Sequence, residues 1–177
     1  ALTEEFQRPA GLYLVSVSRL SHEKGVDLAV RTARVLQERG VNFAWHVIGD
    51  GPERSRLEGL IVQLGVQSRV VLMGERSNPF PYMRWADLFV QTSRVEAHPL
   101  TIQEAMVLGK PIIASDIPSI AAVLQQGRLG SLSELTPEAF ADAIEALSSN
   151  ANVRASYVER LAQHRAPNEL VFAEIDR

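Results

Sequence analysis

Residues 87–104 read Asp87-Leu-Phe-Val-Gln-Thr-Ser-Arg-Val-Glu-Ala-His-Pro-Leu-Thr-Ile-Gln-Glu104. This stretch is the most informative part of the sequence, because it predicts a strand, a short loop and a helix in direct succession. Its beginning, up to Thr92, is mostly apolar and predicts a buried strand of about five residues. Residues 100–108 predict a helix with Pro99 at or near its first turn, a position that proline tolerates. Such strand–helix units build α/β domains.

Two carboxylates flank this predicted helix start. Glu96 falls in the loop and Glu104 lies one turn into the helix, with seven residues between them. A helix N-terminus attracts anions through its unpaired N–H groups and its dipole, and carboxylates accept hydrogen bonds from hydroxyls. A phosphate at the helix end and hydroxyls at the two acids would suit a nucleotide diphosphate sugar. The alternative is that two acids flank an ordinary surface helix.

Strand-like and helix-like stretches alternate along the rest of the chain. Runs of β-forming residues predict the strands, and apolar residues at helical spacing predict the helices. The predicted strands cover residues 12–18, 43–48, 70–73, 87–92 and 112–115, with a weak one at 129–132. The predicted helices cover residues 25–40, 51–65, 82–86, 100–108, 119–126, 137–147 and 152–164. Repeated units with short connections predict an α/β fold with a mostly parallel sheet and helices on both faces.

Four polar or glycine-rich clusters follow predicted strands directly. They cover residues 19–24, 49–51, 74–76 and 96–101. In parallel sheets, ligands bind at the carboxyl ends of the strands, near the point where the strand order reverses. We therefore expect the four clusters to form one site. The alternative is that such loops are polar and rich in glycine whatever they do.

Composition narrows the class of protein. The chain of 177 residues is long enough for one domain with its own core. A net charge of -3 argues against nucleic-acid binding, which normally needs a basic face. The chain has no cysteine and therefore no disulfide framework or thiolate chemistry. It has no apolar run of about 18 residues, the length that a membrane-spanning helix needs.

Metal and dinucleotide sites are not expected. His22, His46, His98 and His164 show no metal-ligand spacing, and the chain has no Asp-x-Asp. We therefore expect no metal and no other cofactor, with basic side chains offsetting the charge of a diphosphate. The cluster at residues 49–51 lacks the third glycine of a dinucleotide fingerprint, which argues against a dehydrogenase. His46 is expected to be a hydrogen-bonded core residue in mid-strand, and both tryptophans are expected to be packing residues.

Five motifs, in order, resemble the nucleotide-sugar-binding half of a GT-B glycosyltransferase of the large retaining family 4. The motifs are VSRLSHEKG at residues 17–25, IGDGPER at 48–54, RVVLMG at 69–74, the stretch from Glu96 to Met106, and GKPIIASD at 109–116. The resemblance implies a Rossmann-like α/β domain, a parallel sheet with helices on both faces. It also implies that this domain is the C-terminal half of a two-domain enzyme whose active site lies between the halves.

The resemblance implies roles for matching positions. Arg19 and Lys24 match the basic pair that grips the donor diphosphate. Glu104 matches the acid that binds the ribose hydroxyls. Glu96 matches the acid beside the donor sugar, where it holds a hydroxyl or stabilises positive charge at the anomeric carbon. The implied catalytic residues are Glu96, Arg19 and Lys24. The implied donor-binding residues are Arg19, Lys24, Gly74, Glu75, Arg76, Glu96, Ala97, His98, Pro99, Leu100, Thr101 and Glu104, with Gly74 to Arg76 beside the nucleobase.

The chain departs from the family pattern on the donor-sugar side. Ala97 and His98 stand where the family usually has glycine and an aromatic residue. After Asp116 the family often has two glycines and then a glutamate, whereas this chain has Ile117-Pro-Ser119 and then Ala122. These departures fit either an altered sugar preference or a reduced activity.

The resemblance implies transfer of a sugar from a nucleotide diphosphate sugar to an acceptor hydroxyl, in polysaccharide or glycolipid synthesis. The isolated domain is expected to be inactive. One alternative is a non-catalytic nucleotide-sugar-binding module. Another is a non-hydrolysing sugar-nucleotide epimerase, which shares the two-domain architecture.

The expected domain organisation follows from the same resemblance. Residues 1–10 are expected to be the remnant of an interdomain linker, residues 11–166 the donor-binding domain, and residues 167–177 a C-terminal tail or helix. The expected partner is an N-terminal acceptor-binding domain of the same protein, and any membrane contact would be made through that domain. The expected localisation is cytoplasmic, at most peripheral at the inner face of the membrane.

Overall fold

The computed structural model describes residues 8–165. A parallel six-stranded sheet forms the centre of this region, and helices cover both of its faces. The strands are β1 (Leu12–Val17), β2 (Phe43–Ile48), β3 (Val70–Gly74), β4 (Leu88–Gln91), β5 (Ile112–Ser115) and β6 (Ser131–Ser133). The helices are α1 (Val26–Glu38), α2 (Arg54–Gln63), α3 (Phe80–Trp85), α4 (Leu100–Val107), α5 (Pro118–Val123), α6 (Pro137–Ser149) and α7 (Ala151–Arg165). The predicted Rossmann-like α/β fold is confirmed.

The strand order is β3-β2-β1-β4-β5-β6, and neighbouring strands pair in parallel. From β1 the chain adds β2 and β3 on one side, then crosses to the other side and adds β4, β5 and β6. The strand order therefore reverses between β1 and β4, where Leu14 pairs with Leu88 and Val15 with Phe89. In open parallel sheets, the carboxyl edge at this reversal is where ligands bind.

Two hydrophobic cores lie on the two faces of the sheet. Leu14 points into the core against α1, α2 and α6, whereas its neighbours Tyr13 and Val15 point into the core against α3, α4, α5 and α7. Side chains of adjacent strand residues point to opposite faces. Because both faces are covered, β1 is apolar at successive positions, which is why its sequence lacks the alternation of a half-exposed strand.

Helix α1 follows β1 and carries one loop of the candidate site at its start. Its buried face includes Val26, Val30 and Leu36, which pack in the first core. Gly40, with a φ of +73°, lies just beyond the helix end, where glycine takes the left-handed conformation without a Cβ clash. The predicted helix at residues 25–40 is thus confirmed, with ends one or two residues inside those expected.

A buried polar contact joins three strands near the carboxyl edge. The indole Nε1–H of Trp45, which is fully buried, donates a hydrogen bond to Ser16 Oγ at 2.9 Å. The Ser16 hydroxyl in turn donates to the carbonyl oxygen of Val90 at 2.6 Å. Buried polar groups are stable only when they are paired in this way. The contact therefore ties β1 to both of its neighbours beside the strand-order reversal.

Several expectations differ from the structure in detail. The weak strand expected at 129–132 is β6, two residues later at its start. Helix α5 ends at Val123, before the expected residue 126, because Gln125 and Gln126 take φ values of 50° and 55° and turn the chain out of the helix. The 3-10 turn at His22–Lys24 was not predicted.

The expectations for His46 and the tryptophans had mixed outcomes. His46 is half-buried, and its Nδ1 lies 3.0 Å from the hydroxyl oxygen of Tyr13, as expected for a hydrogen-bonded core residue. Trp45 packs in the core, but the prediction for Trp85 was wrong, because this side chain is 57% exposed. Helix α3 has only six residues, and it is Met83 that fills its buried position.

The expected domain boundaries stay predictions. Residues 1–7 of the expected linker and residues 167–177 of the expected tail lie outside the described residues. Arg8, inside the expected linker, contacts the domain through an ion pair with Asp87 at 2.5 Å. Between residues 8 and 165, no helix is long and apolar enough to cross a membrane.

We predict that Ser16→Ala lowers the free energy of unfolding by about 1–3 kcal/mol, because it leaves the buried indole N–H of Trp45 without an acceptor. Urea denaturation measures this change. Ser149→Ala is the control, since Ser149 lies exposed at the end of α6 and its removal should change the free energy of unfolding by less than about 0.5 kcal/mol. Equal effects of the two substitutions would contradict the prediction.

Candidate functional site

Two loops meet at the strand-order reversal. The β1–α1 loop (residues 18–25) and the β4–α4 loop (residues 92–99) are joined by the N–H groups of Arg94 and Val95, which both donate to the carbonyl oxygen of Glu23, at 2.7 and 3.2 Å. Gly25 has a φ of +64°, and a Cβ at this position would lie 2.1 Å from the carbonyl oxygen of Thr92. Glycine is therefore required here both for its conformation and for the close approach of the two backbones.

The loop after β2 packs against the same β1–α1 loop. Gly49 has a φ of +133°, and a Cβ there would lie 2.0 Å from the carbonyl oxygen of Ser18. The N–H of Leu20 donates to the carbonyl oxygen of Asp50 at 3.0 Å, and the N–H of Gly49 donates to that of Gly74, at the end of β3, at 2.9 Å. The four predicted clusters therefore lie along one edge of the sheet, as expected.

Lys24 and Glu96 form an ion pair across the two loops. Lys24 Nζ lies 2.5 Å from Glu96 Oε2, and the side chains are 26% and 7% exposed. Gln91, buried at the end of β4, places its amide Nε2 3.5 Å from the same carboxylate oxygen and donates to Ser93 Oγ at 2.9 Å. Its Oε1 lies 3.5 Å from the hydroxyl of Thr101. The structure thus holds Glu96 in place through both a cation and a buried amide.

Arg19 and Glu104 are two charged residues of the candidate site that make no ion pair between residues 8 and 165. Arg19 is exposed, and its guanidinium makes no hydrogen bond with the part of the chain that the structure describes. The carboxylate of Glu104 is half-buried on α4, likewise without a hydrogen-bond donor among residues 8–165. Burial raises the pKa of this carboxyl above its usual range. An unpaired half-buried carboxylate is costly unless a ligand supplies donors.

The N-terminus of α4 lies in the same loop and has no side-chain cap. The N–H groups of Ile102 and Gln103 donate to the carbonyl oxygen of Pro99, both at 3.1 Å. Those of Ala97, His98 and Thr101 donate to no acceptor within the described region. Free N–H groups at a helix start are suited to an anion. Ala97, His98 and Leu100 have exposed side chains, whereas Pro99 is buried.

The end of β3 supplies the outer part of the edge. Gly74 has a φ of +75°, and Glu75 and Arg76, which follow it, are exposed. Arg54, which was not predicted as a site residue, donates to the carbonyl oxygen of Leu72 at 3.2 Å. Its side chain also forms an ion pair with Glu58 at 2.9 Å. Arg54 therefore connects the start of α2 to the end of β3.

Two further residues near the site were missed by the sequence analysis. Arg94 forms a two-pronged ion pair with Asp27 at the start of α1. The residues are 67 positions apart in the chain, and no local motif predicts the contact.

The lysine of the GKP motif lies elsewhere in the structure. Lys110 Nζ donates to the carbonyl oxygens of Ala86, at 3.0 Å, and Arg84. It thus caps the end of α3, away from the candidate site.

The arrangement at this edge suits an anionic, hydroxyl-rich ligand. It combines a free cation, free backbone N–H groups, a free carboxylate and a neutralised lysine–glutamate pair. In the region covered by residues 8–165, no group of three or more His, Cys, Asp or Glu residues is placed to hold a metal ion.

Comparisons with known proteins identify sugar-transferring enzymes as relatives of this chain. The family model described as "Glycosyl transferases group 1" matches residues 4–164. The chain is 35% identical over 164 residues to an alpha-D-kanosaminyltransferase from Streptomyces kanamyceticus, covering 90% of this chain and 40% of that protein. It is 28% identical over 144 residues to the amylovoran biosynthesis glycosyltransferase AmsK from Erwinia amylovora, covering 77% of this chain and 35% of that one.

A solved structure has the same fold. The crystal structure of Anabaena Alr3699/HepE in complex with UDP has a TM-score of 0.78 and 22% identity, and the match covers 94% of this chain and 48% of that one. At this identity the likeness concerns the fold alone. The chain spans between 25% and 40% of the length of the first curated relatives that it matches.

We predict that Gly25→Ala destabilises the chain more than Gly40→Ala. Both glycines have a positive φ, but a Cβ at Gly40 meets nothing within 4 Å. Gly40→Ala should therefore cost about 1 kcal/mol for its conformation alone. Gly25→Ala should cost roughly 3 kcal/mol or more, because the carbonyl oxygen of Thr92 must also move. Urea denaturation measures both, and equal losses would show that the two loops do not approach as closely as described.

Proposed function

Because the chain belongs to the group 1 glycosyl transferases, we propose that it is the donor-binding part of a retaining, family 4 glycosyltransferase. In this proposal it forms the C-terminal half of a GT-B enzyme and binds a nucleotide diphosphate sugar. One observation carries the proposal. Arg19 directly follows β1, the uncapped start of α4 directly follows the loop after β4, and Glu104 lies one turn into α4, so all three belong to segments that begin at the carboxyl edge of the strand-order reversal.

Each part of the ligand has a matching group. Arg19 and the free N–H groups at the start of α4 would bind the diphosphate, since helix N-termini and guanidinium groups both favour phosphate oxygens. Glu104 would accept hydrogen bonds from the two ribose hydroxyls, because its carboxylate has two free oxygens. Gly74, Glu75 and Arg76 would line the nucleobase. The UDP bound to the Anabaena protein makes UDP the first nucleotide to test.

The proposed reaction moves the sugar from diphosphate to acceptor. The bond between the anomeric carbon and the diphosphate oxygen breaks, and a bond to the acceptor oxygen forms on the same face of the sugar. The acceptor proton passes to the leaving diphosphate. Arg19 and Lys24 would stabilise the negative charge on the leaving group, which is the kind of electrostatic effect that supplies much of enzymatic rate enhancement. Glu96 would stabilise the positive charge that develops at the anomeric carbon.

The rest of the proposal concerns the whole protein. We infer an N-terminal acceptor-binding domain in the same polypeptide, because the matched relatives are more than twice as long as this chain. The chain alone would then bind donor without transferring sugar. The relative named for amylovoran biosynthesis supports a role in polysaccharide or glycolipid synthesis. The proposed localisation is cytoplasmic, at most peripheral at the inner face of the membrane.

Calorimetry with UDP, GDP and ADP tests the donor site. We expect one of the three nucleotides to bind, and Arg19→Ala and Glu104→Ala to weaken that binding roughly tenfold each, as the loss of a hydrogen bond to a charged group would. Arg31→Ala and Glu159→Ala remove exposed charges on α1 and α7 and should leave the affinity unchanged. If the folded chain binds none of the three, or if Arg19→Ala and Glu104→Ala bind as the wild type does, the proposal is wrong.

The pH dependence of donor binding tests the role of Glu104. Burial raises the pKa of this carboxyl, whereas ribose hydroxyls would donate to its ionised form and lower the pKa again. Binding should therefore be strongest above this pKa and weaken as the pH falls through it. We expect the affinity for UDP-glucose, whose diphosphate stays ionised at mildly acidic pH, to fall progressively as the pH is lowered from neutral through the raised pKa of Glu104.

Glu104→Gln is the matched variant for this measurement. It keeps the size of the side chain and removes the titrating proton, so its weaker binding should not change through the same pH interval. Identical pH profiles for the variant and the wild type would assign the titration to another group and remove Glu104 from the donor site.

A further inference from the structure

The ion pair between Arg94 and Asp27 has the geometry of a strong one. Arg94 Nη1 lies 2.7 Å from Asp27 Oδ1, and Nη2 lies 2.8 Å from Oδ2. Nη1 also donates to the carbonyl oxygen of His22 at 3.1 Å. The side chains are 30% and 13% exposed. Two parallel N–H···O bonds fix both distance and orientation, which a single contact does not.

The charges of the pair are retained at neutral pH. Burial alone would raise the pKa of the Asp27 carboxyl, but the hydrogen bonds and charge of Arg94, together with the more distant Arg56, hold the pKa below its usual range. Arg56 is itself engaged in an ion pair with Glu53. Asp27 therefore stays ionised and Arg94 is its principal cation.

The pair lies between the two loops that carry the candidate site. Asp27 is three residues after Lys24 in α1, and Arg94 is two residues before Glu96 in the β4–α4 loop. The carbonyl oxygen of Glu23 accepts the N–H of Arg94 between the two ion pairs. The Lys24–Glu96 contact thus has a second ion pair beside it that connects the same two loops.

We propose that Arg94 and Asp27 are positioning residues of the donor site, whose ion pair sets the distance and alignment of Lys24 and Glu96. This inference rests on the proposed function for its biological meaning. Neither residue is among those assigned to the nucleotide sugar. Arg94→Ala would remove the two-pronged contact and leave the two loops joined by the backbone hydrogen bonds to Glu23, the contact of Thr92 Oγ1 with the carbonyl oxygen of Lys24 and the Lys24–Glu96 pair itself. It would also leave the Asp27 carboxylate half-buried without its main cation. Glu96 would then lose its alignment with Lys24.

The first test is a double-mutant cycle read by calorimetry with UDP. We expect Arg94→Ala and Asp27→Ala each to weaken UDP binding roughly tenfold. Arg94→Lys keeps the charge without the two-pronged contact, so its affinity for UDP should lie between that of Arg94→Ala and that of the wild type. If Arg94 acts through Lys24, the double variant Arg94→Ala with Lys24→Ala should bind no more weakly than Lys24→Ala alone. Losses that multiply, or a folded Arg94→Ala chain that binds as the wild type does, would overturn the proposal.

Arg39 provides the control for a purely structural effect. It forms ion pairs with Asp142 at 2.7 Å and Glu145 at 2.5 Å, between the end of α1 and α6 and away from the site. Arg39→Ala should lower the free energy of unfolding without changing the affinity for UDP. If Arg39→Ala weakens UDP binding as much as Arg94→Ala does, the effect of Arg94 is general destabilisation and the proposal fails.

The second test needs no nucleotide. In crystals of ligand-free Asp27→Ala, we expect Lys24 Nζ and Glu96 Oε2 to lie beyond about 4 Å, the limit of an ion pair. A contact unchanged from its 2.5 Å would overturn the proposal. The two tests distinguish failure of the proposed function from failure of the positioning role. A wild-type chain that binds no nucleotide contradicts the proposed function. An intact Lys24–Glu96 pair in Asp27→Ala contradicts the positioning role.

Discussion

The close backbone contact between Gly25 and Thr92 is the constraint on which the site depends. A Cβ at Gly25 would lie 2.1 Å from the carbonyl oxygen of Thr92, so the loops after β1 and β4 can meet only because this residue is glycine. The contact occurs where the strand order reverses, between two loops that lead to helices on opposite faces of the sheet. Lys24 and Glu96 come within ion-pair distance as a result of this approach.

The charges at this edge divide into paired and unpaired groups. Lys24 neutralises Glu96, and Arg94 neutralises Asp27, so both pairs are stable without a ligand. Arg19 and Glu104 have no partner among residues 8–165, and burial already disfavours the ionised form of Glu104. A ligand with both anionic oxygens and hydroxyl donors would satisfy these two groups together. The paired charges would keep the site ordered before a ligand binds, and the unpaired charges would gain partners when it does.

Sequence reasoning predicted the fold and the edge of the sheet along which the candidate residues lie, because both depend on local patterns. The continuous apolar run of β1 and the glycines that follow the strands are visible in the sequence. The contact of Arg94 with Asp27 was not predictable, since it joins residues 67 positions apart and either residue alone resembles a surface charge. Gln91 was read as one residue of an apolar strand, although its amide contacts Glu96. The exposure of Trp85 was missed because tryptophan is usually buried. Its position at the end of a short helix leaves this side chain exposed.

Amide chemical-shift mapping by NMR, with the labelled chain titrated with UDP, would show where on the sheet the nucleotide binds. We expect the largest shifts at Arg19, at Lys24 and at the free N–H groups of Ala97, His98 and Thr101. We expect little change near Trp85, at the amino-terminal edge of the sheet. Shifts concentrated near Trp85, or none along the carboxyl edge at saturating nucleotide, would contradict a nucleotide-sugar site at the strand-order reversal.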